Sequence, residues 1–577
     1  MVELERTHKF ESMHQKIKEI TGKKRIARGN VIKNREGKVV MVMDEVLSRW
    51  EEYVKELFED NRGVKPRIHI PMTGPEILED EIVNVIKKFK KGKSPGNDET
   101  TIEMILASGN FGIRKILELA NKIYNTGYIP KEMYRSIFIT IPKKPGAVEC
   151  SLHRTISLMS QITKIILKVI LNRNKRKLKQ EIAEEQYGFS EGKGTRNAIF
   201  IMKMLLERAI EVQKEVYMCF IDYEKAFDKV KHSKLIEILQ NLNLDGKDIR
   251  LISNLYWSQE AAVKIDNNLT PWFEVRRGVR QGCVLSPDLF SVYGEMILRN
   301  IRDMEGIKVG GVNINNIRYA DDTVLIADTP EKLQALLDVV KRESERIGLN
   351  INIKKTEVMV ASKNPETPNC NLYINNTRIK QVDSFVYLGS TLSKDARSKE
   401  EIERRILIAK NAFNNMKNLL TNNGINMTTR VRALKTYVWS TLMYGSESWT
   451  LNREMKNKLK AVELWFYRRM LRVSWRDRMT NEEVLVRVGQ RRSLLGEIRK
   501  RQMDFLGHVL RGEKIEHLCI TGMFEGRRAR GRQRVKYLDT IVEDLGGGIT
   551  TNELVQLARD RERWKGLTAQ VCDMALQ

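Results

Sequence analysis

The sequence predicts an α+β protein with a mainly helical, basic C-terminal region, although the strand and helix mixture in its middle would also suit α/β. Three observations carry this prediction. Residues 216–222, VYMCFID, form a continuous apolar run of strand length, as a central buried strand requires. Residues 317–327, IRYADDTVLIA, set two flanks rich in strand formers around an Asp pair, the pattern of a hairpin. After residue 394, Ile402, Ile406, Ala409, Phe413, Met416 and Leu420 recur on one helical face.

The elements follow in order. Residues 1–70 are polar and lean towards helix, with an amphipathic stretch at 46–60 (VLSRWEEYVKELFED), and Pro71 and Pro75 end it. Ile77, Ile82, Val85, Ile86 and Phe89 stand close to helical spacing. SPGNDET at 94–100 is a loop by composition. RSIFITIPKKPGA at 135–147 reads as a strand ending in a basic turn, and residues 162–182 as a helix with one apolar and one strongly basic side. AAVKIDNNLTPWFEVRRG at 261–278 reads as a hairpin around the Asn-Asn turn.

Composition limits the partners. The 577 residues carry 41% apolar side chains, enough for a sizeable core, and a formal net charge of +27. An excess that large points to a polyanion, most often nucleic acid. A merely solubilising surface needs far less charge of one sign. The six cysteines form no C-x-x-C pair, so the chain suggests neither a zinc knuckle nor a disulfide framework, and free thiols fit a reducing compartment. The N-terminus lacks the apolar core of a signal peptide, and no apolar run is long enough to span a bilayer. The expectation is a soluble intracellular protein with no membrane partner.

The Asp pair has a bland reading, because Asp is a good turn residue. It also has a chemical one. Joining a nucleotide to a nucleic-acid 3′ end needs two divalent ions about 3.5–4 Å apart. Hard cations such as Mg²⁺ want carboxylate oxygens on a rigid platform. A hairpin tip would supply Asp321 and Asp322, and the end of the neighbouring strand would supply Asp222. Taken alone, Asp222 reads equally as a helix N-cap, and Asp228 reads as a surface helix residue.

FIDYEKAFD (220–228), GVRQGCVLSPDLF (278–290) and RYADD (318–322), in that order, resemble the palm motifs of a reverse transcriptase. The detail is most similar to non-LTR retrotransposons. SPGND (94–98), HRTISLMS (153–160) and EQYGFSEGKGTRNAI (185–199) resemble the motifs before the palm, and GLNINIKKTEVMV (348–360) and FVYLGSTL (385–392) those after it. MYGSESWTL, FLGHVLR and RARGRQR resemble the C-terminal region of RTE-like elements.

The resemblance implies a right-hand polymerase, with a helical extension and the start of the fingers in residues 1–120. Fingers and palm would occupy 121–394, a helical thumb 395–480 and a basic C-terminal domain 481–577. It implies RNA-templated DNA synthesis from dNTPs on a DNA primer, with two Mg²⁺ ions or Mn²⁺ in their place. Asp222, Asp321 and Asp322 would hold the metal, Asp222 and Asp321 most directly, and Lys355 would protonate the leaving pyrophosphate. Arg154 and either Lys143 or Lys144 would hold the triphosphate. Phe227 would lie under the sugar and reject a 2′-hydroxyl, and Gln281 and Gly282 would pack against nucleotide and template. Tyr319 and the segment Tyr387, Leu388 and Gly389 would contact the primer end.

Two motifs depart from the family pattern. Asn97-Asp98-Glu99 stands where Pro-Asp-Gly is usual, and Arg154-Thr155-Ile156-Ser157 where Arg-Pro-Ile-Ser is usual. The chain starts just upstream of the polymerase part, so the resemblance implies an endonuclease supplied elsewhere, and a nuclear setting. The Gly-spaced arginines Arg527, Arg528, Arg530, Arg532 and Arg534 suit a phosphate backbone, although a localisation signal has the same composition. Two rival readings remain at this level: a decayed copy that only binds RNA or DNA, and a polymerase that copies DNA alone.

Overall fold

The computed structural model describes residues 30–364, 366–528 and 533–576. The helical leaning expected over the first 29 residues, together with Arg530 and Arg532, lies outside the described residues. Helix α1 (Met43–Phe58) buries Val46, Trp50, Val54, Leu57 and Phe58. Asp44 and Glu45 in its first turn and Lys55 in its last complement the helix dipole. A short hairpin, Ile32–Lys33 with Val39–Val40, precedes it and was not foreseen.

Strands β1 (Arg135–Pro142) and β2 (His153–Leu158) form an antiparallel pair in which Ile141 faces Arg154. Helix α2 (Gln161–Glu181) starts at Ser160, whose hydroxyl caps the Ile162 N–H. Helix α3 (Thr195–Glu211) is buried along most of its length. Strand β3 (Val216–Ile221) follows, then β4 (Glu260–Ile265), which adds in parallel to β1. The hairpin at β4 turns at Asp266-Asn267, one residue before the Asn-Asn pair, with Asp266 in the left-handed region. After helix α4 (Ser286–Leu298) come β5 (Asn316–Tyr319) and β6 (Asp322–Ala327). Helix α5 (Pro330–Ile347) is capped by the Thr329 side chain and stopped by Gly348 at φ +90°. It is followed by β7 (Glu357–Ala361), β8 (Lys380–Gln381) and the hairpin β9 (Ser384–Tyr387) with β10 (Ser390–Ser393).

The central sheet has the order β5-β6-β3-β7-β8. Its middle strand β3 is buried throughout because both faces are covered. Tyr217, Cys219 and Ile221 enter one core with α4 and α5, while Val216, Met218 and Phe220 enter another with α3. Alternate residues of a strand point to opposite faces, so a strand covered twice reads as an unbroken apolar run.

Helix α6 (Lys399–Asn415) begins the helical third, and Ile402, Ala409, Phe413, Met416 and Leu420 enter its core as their spacing required. That core also takes Trp439, Trp449, Phe466 and Tyr467. Helix α7 (Leu494–Leu510) links two bodies. Ile498 belongs to the helical core, whereas Met503, Phe505 and Leu506 pack with α3 and the second face of the central sheet. The chain is an α+β protein with a helical C-terminal region.

The loop at 94–100 is held by its own hydrogen bonds and by the start of α2. The Glu99 N–H donates to the Gly96 carbonyl, and Asp98 accepts from the Ser160 hydroxyl at 2.7 Å. Glu99 sits at φ +52°, in the place where the resembled motif carries Gly. An L side chain there costs about 1 kcal/mol, offset in part by the extra freedom glycine has when unfolded. Glu99→Gly is expected to raise stability by about 0.5–1 kcal/mol, read as a higher melting temperature.

Candidate active site

The sheet register places the carboxylates. Ile221 faces Thr323 across β3 and β6, and one step further in the same register sets Asp222 opposite Asp322. Tyr319 faces Asp322 across the hairpin, so Ala320 and Asp321 form the turn. Asp222 follows a rigid strand whose neighbours on both sides are hydrogen-bonded to it. Its carbonyl accepts from the Asn352 N–H, and its own N–H donates to the Thr356 hydroxyl. Asp222 is thus held by β7's approach, and its side chain caps no helix among the hydrogen bonds it makes.

The charges of the acids act on one another. Burial raises Asp321 above the usual carboxylate range; Asp222 adds to the rise and Arg154 opposes it. Asp322 lies at an exposed edge, yet its carboxyl is crowded. Desolvation first, then the charges of Asp321 and Asp222, push it up to about 6. Three acids in mutual repulsion are the electrostatic complement of a bound cation. Among the described residues, no three Asp, Glu, His or Cys side chains close around a point that would hold a metal by themselves. Mg²⁺ keeps waters and takes substrate phosphate oxygens, so it needs no all-protein cage. The all-oxygen donor set fits it.

Basic residues from the first sheet and from the segment before β7 converge on the same space. Lys355 Nζ lies 3.4 Å from Asp222 Oδ1. Lys143 donates to the Ser151 carbonyl at 3.0 Å. Desolvation and the neighbouring Lys355 hold it below the usual lysine range, while Asp228 and Asp222 draw it up. Lys143 therefore feels the carboxylates, and the charge of Arg154 acts on both Lys143 and Asp321.

Phe227 stacks flat on Phe290, ring centroids 4.3 Å apart, and meets Phe189 edge-on at 6.0 Å. Gln281 Nε2 donates to Asp228 Oδ1 at 3.1 Å, and its carbonyl accepts from Ser157 N–H. Gly282 has φ +115°, and a Cβ there would stand 2.9 Å from the Ser157 carbonyl. Glycine is what lets this loop lie against β2.

Asp228 corrects the sequence reading. It is not a surface residue but is buried, with 8% exposure. Its helix is only four residues long, Ala226–Lys229, and folds back under the site instead of running along the surface. Burial pushes its carboxyl up to about 6, against the pull of Gln281, Lys225, Lys143 and Lys229. A carboxylate raised in the folded state makes the protein lose stability as pH rises from about 4 through about 6. Asp228→Asn keeps an acceptor for Gln281 and removes that loss. The variant is expected to match the parent near pH 4 and to exceed it by about 1–3 kcal/mol above pH 6.5, measured by urea unfolding across pH.

The β9–β10 hairpin separates its three candidate residues. Tyr387 is buried, 6.1 Å from Phe220 ring to ring, so its ring anchors the hairpin. Leu388 and Gly389 form the tip, both at positive φ. The Leu388 carbonyl accepts from the Tyr444 hydroxyl at 2.8 Å, and the Gly389 carbonyl accepts from Arg404 and Arg405. Of the tail arginines, Arg528 pairs with Glu211 at 2.8 Å and Arg534 donates to the Asp395 carbonyl, while the Arg527 carbonyl accepts from Gln213. The tail is thus fastened to α3 and the start of the helical third.

Sequence reasoning missed a buried support. Arg318, in β5, pairs with Glu295 of α4 at 2.8 Å, with side chains 3% and 2% exposed. Gln186 lies against the same strand.

An acid at a strand end beside a carboxylate-bearing hairpin, over a two-sided sheet, is the kind of platform that carboxylate-held divalent ions need. Residues 141–392 match the family model for reverse transcriptase (RNA-dependent DNA polymerase). A transposon-derived protein of Caenorhabditis elegans is 28% identical over 274 residues, covering 45% of this chain and 96% of that one. The Pol polyprotein of retrotransposable element R2 from Nasonia vitripennis is 27% identical, covering 42% of this chain and 24% of its own. The RNA-directed DNA polymerase from mobile element jockey of Drosophila funebris is 24% identical over 440 residues, covering 74% and 47%. This chain therefore spans about a quarter and about half of those two longer relatives. The matched segment is similar to a reverse transcriptase domain, and the longer relatives are retrotransposon proteins.

Proposed function

We propose that this chain copies an RNA template into DNA by adding dNTPs to a primer 3′ end, in the service of an RTE-like retrotransposon. The observation that carries the reading is the register: Ile221 faces Thr323 and Tyr319 faces Asp322, which brings the end of β3 to the hairpin whose turn holds Asp321. The primer 3′-hydroxyl attacks the α-phosphate of the dNTP, and pyrophosphate leaves. Two Mg²⁺ ions, held by Asp222, Asp321 and Asp322, would lower the pKa of the hydroxyl and neutralise charge on the phosphates. Lys143 and Arg154 grip the triphosphate, Arg as a planar fork and Lys as a point charge. Phe227, fixed by its stack on Phe290, presents a ring to the sugar, where one added oxygen distinguishes an RNA precursor. Lys355 pairs with Asp222 in this structure and must exchange that partner to serve the leaving group.

Fingers and palm run to about residue 394, the thumb from 395 to 480 and the basic domain from 481. Leu388 and Gly389 face the primer, with Tyr319 beside it, and the tail arginines face phosphate. The net charge of +27 supports template and primer as partners. No helix among the described residues is long and apolar enough to cross a membrane. Integration would further require a nick in target DNA, in the nucleus. The testing experiment is extension of a DNA primer on an RNA template with dNTPs and Mg²⁺. Extension that is lost in the Asp321→Asn/Asp322→Asn double variant supports the reading. Template binding without extension by the parent would overturn it.

A further inference from the structure

The turn that carries Asp321 has a support outside its own hairpin. Residues 185–188 run beside β5. The Arg318 N–H donates to the Glu185 carbonyl at 2.9 Å, and the Tyr187 N–H donates to the Arg318 carbonyl at 2.8 Å. Between them Gln186 turns its side chain towards the hairpin tip and is 3% exposed. Its Oε1 accepts from the Ala320 N–H at 3.0 Å and from the Gly188 N–H at 2.8 Å.

Ala320 stands at φ +58°, a conformation that residues with a Cβ adopt rarely and that needs outside support. Gly188 lies so close that a Cβ there would be 2.2 Å from the Ala320 nitrogen. One carbonyl oxygen thus clamps two backbone N–H groups, one of them immediately before Asp321. A neutral amide does this without adding charge beside three carboxylates. Reacting groups tolerate little misplacement, and an error of about 1 Å costs on the order of a hundredfold in rate.

We propose that Gln186 is a positioning residue that locks the Ala320–Asp321 turn and so fixes where the Asp321 carboxylate points. The proposal rests on the function proposed above, which makes Asp321 a metal-holding group. Gln186→Met keeps the shape and removes the acceptor; Gln186→Glu restores an acceptor.

The test is amide hydrogen exchange resolved to single residues, with primer extension on the same preparations. In Gln186→Met, exchange at Ala320 and Gly188 should rise about tenfold or more, with Cys219, Leu325 and Val358 within about twofold of the parent. The kcat for extension should fall roughly 10–100-fold, with template binding and the KM for dNTP within about twofold. Gln186→Glu should return both amides to parental protection. Unchanged exchange at Ala320 would overturn the proposal. So would faster exchange across the whole sheet, which marks a plain loss of stability, or unchanged kcat despite a loosened turn. Should the parent itself extend no primer, the proposed function fails. The exchange arm then still decides: faster Ala320 exchange upholds the lock, and unchanged exchange ends it.

Discussion

Asp321→Asn is expected to lower primer extension on an RNA template at least about a thousandfold while leaving template binding intact. The substitution keeps the size of the side chain and one of its oxygens. It removes the charge that a divalent cation needs, and it does so in the turn, where no neighbouring carboxylate occupies the same place. Asp222→Asn should cost as much, because Asp222 is fixed at the end of a strand paired on both sides and cannot be replaced by a shift of the chain. Asp322→Asn should cost less, roughly 10–100-fold, since Asp322 begins β6 at an exposed edge and faces Asp222 across the sheet. Binding should hold or tighten slightly, because each variant raises an already strongly positive net charge by one. Filter binding at fixed salt beside single-turnover extension separates the two effects. Equal extension by parent and Asp321→Asn would remove the hairpin from the chemistry.

What could be read from the sequence was what depends on periodicity and local chemistry. The apolar run of β3, the hairpin around the Asp pair and the single face of α6 all follow from side-chain spacing, which the chain displays along its length. The convergence of Asp222 on the pair was legible for the same reason: a strand end and a hairpin tip are the places a sheet can offer. Asp228 was misread because burial is a tertiary fact. Four helical residues after a strand look like a surface turn until Gln281, 53 residues further on, is seen to cover them. The fingers loop shows a second tertiary fact: Glu99 adopts the left-handed conformation, with Ser160 and Gly96 holding the loop, which its composition alone does not display.

Tyr387 shows the limit of transferring a motif whole. Its neighbours Leu388 and Gly389 reach the tip of the β9–β10 hairpin, while its own ring turns inward to Phe220. Alternation along a strand sends adjacent residues to opposite faces, so a three-residue motif in a strand and its turn cannot put every side chain on one surface. The same logic hid Gln186, which lies within a motif that was recognised but whose role depends on an oxygen meeting two N–H groups from different segments.

Breaking the ion pair beneath the hairpin should have the largest effect on stability. Arg318 and Glu295 are both almost wholly enclosed, 2.8 Å apart, and Glu295 also accepts from the Ala183 N–H at 3.3 Å. Removing one partner leaves the other charged and buried. Arg318→Met or Glu295→Met is therefore expected to destabilise the fold by about 3–5 kcal/mol, most of it the cost of the stranded charge and little of it the net worth of the pair. Replacing both with Met should cost far less than the sum of the singles, because no buried charge remains and the volume is kept. Urea unfolding of the four proteins closes this double-mutant cycle. Strong coupling would assign the pair its cost to break. Additive losses would mean that each side chain acts through separate contacts, Glu295 through the Ala183 N–H. Activity supplies a second reading, because Arg318 lies three residues before Asp321. If the pair also sets the height of the hairpin over the sheet, the double-Met variant will regain stability without regaining the parental rate of extension.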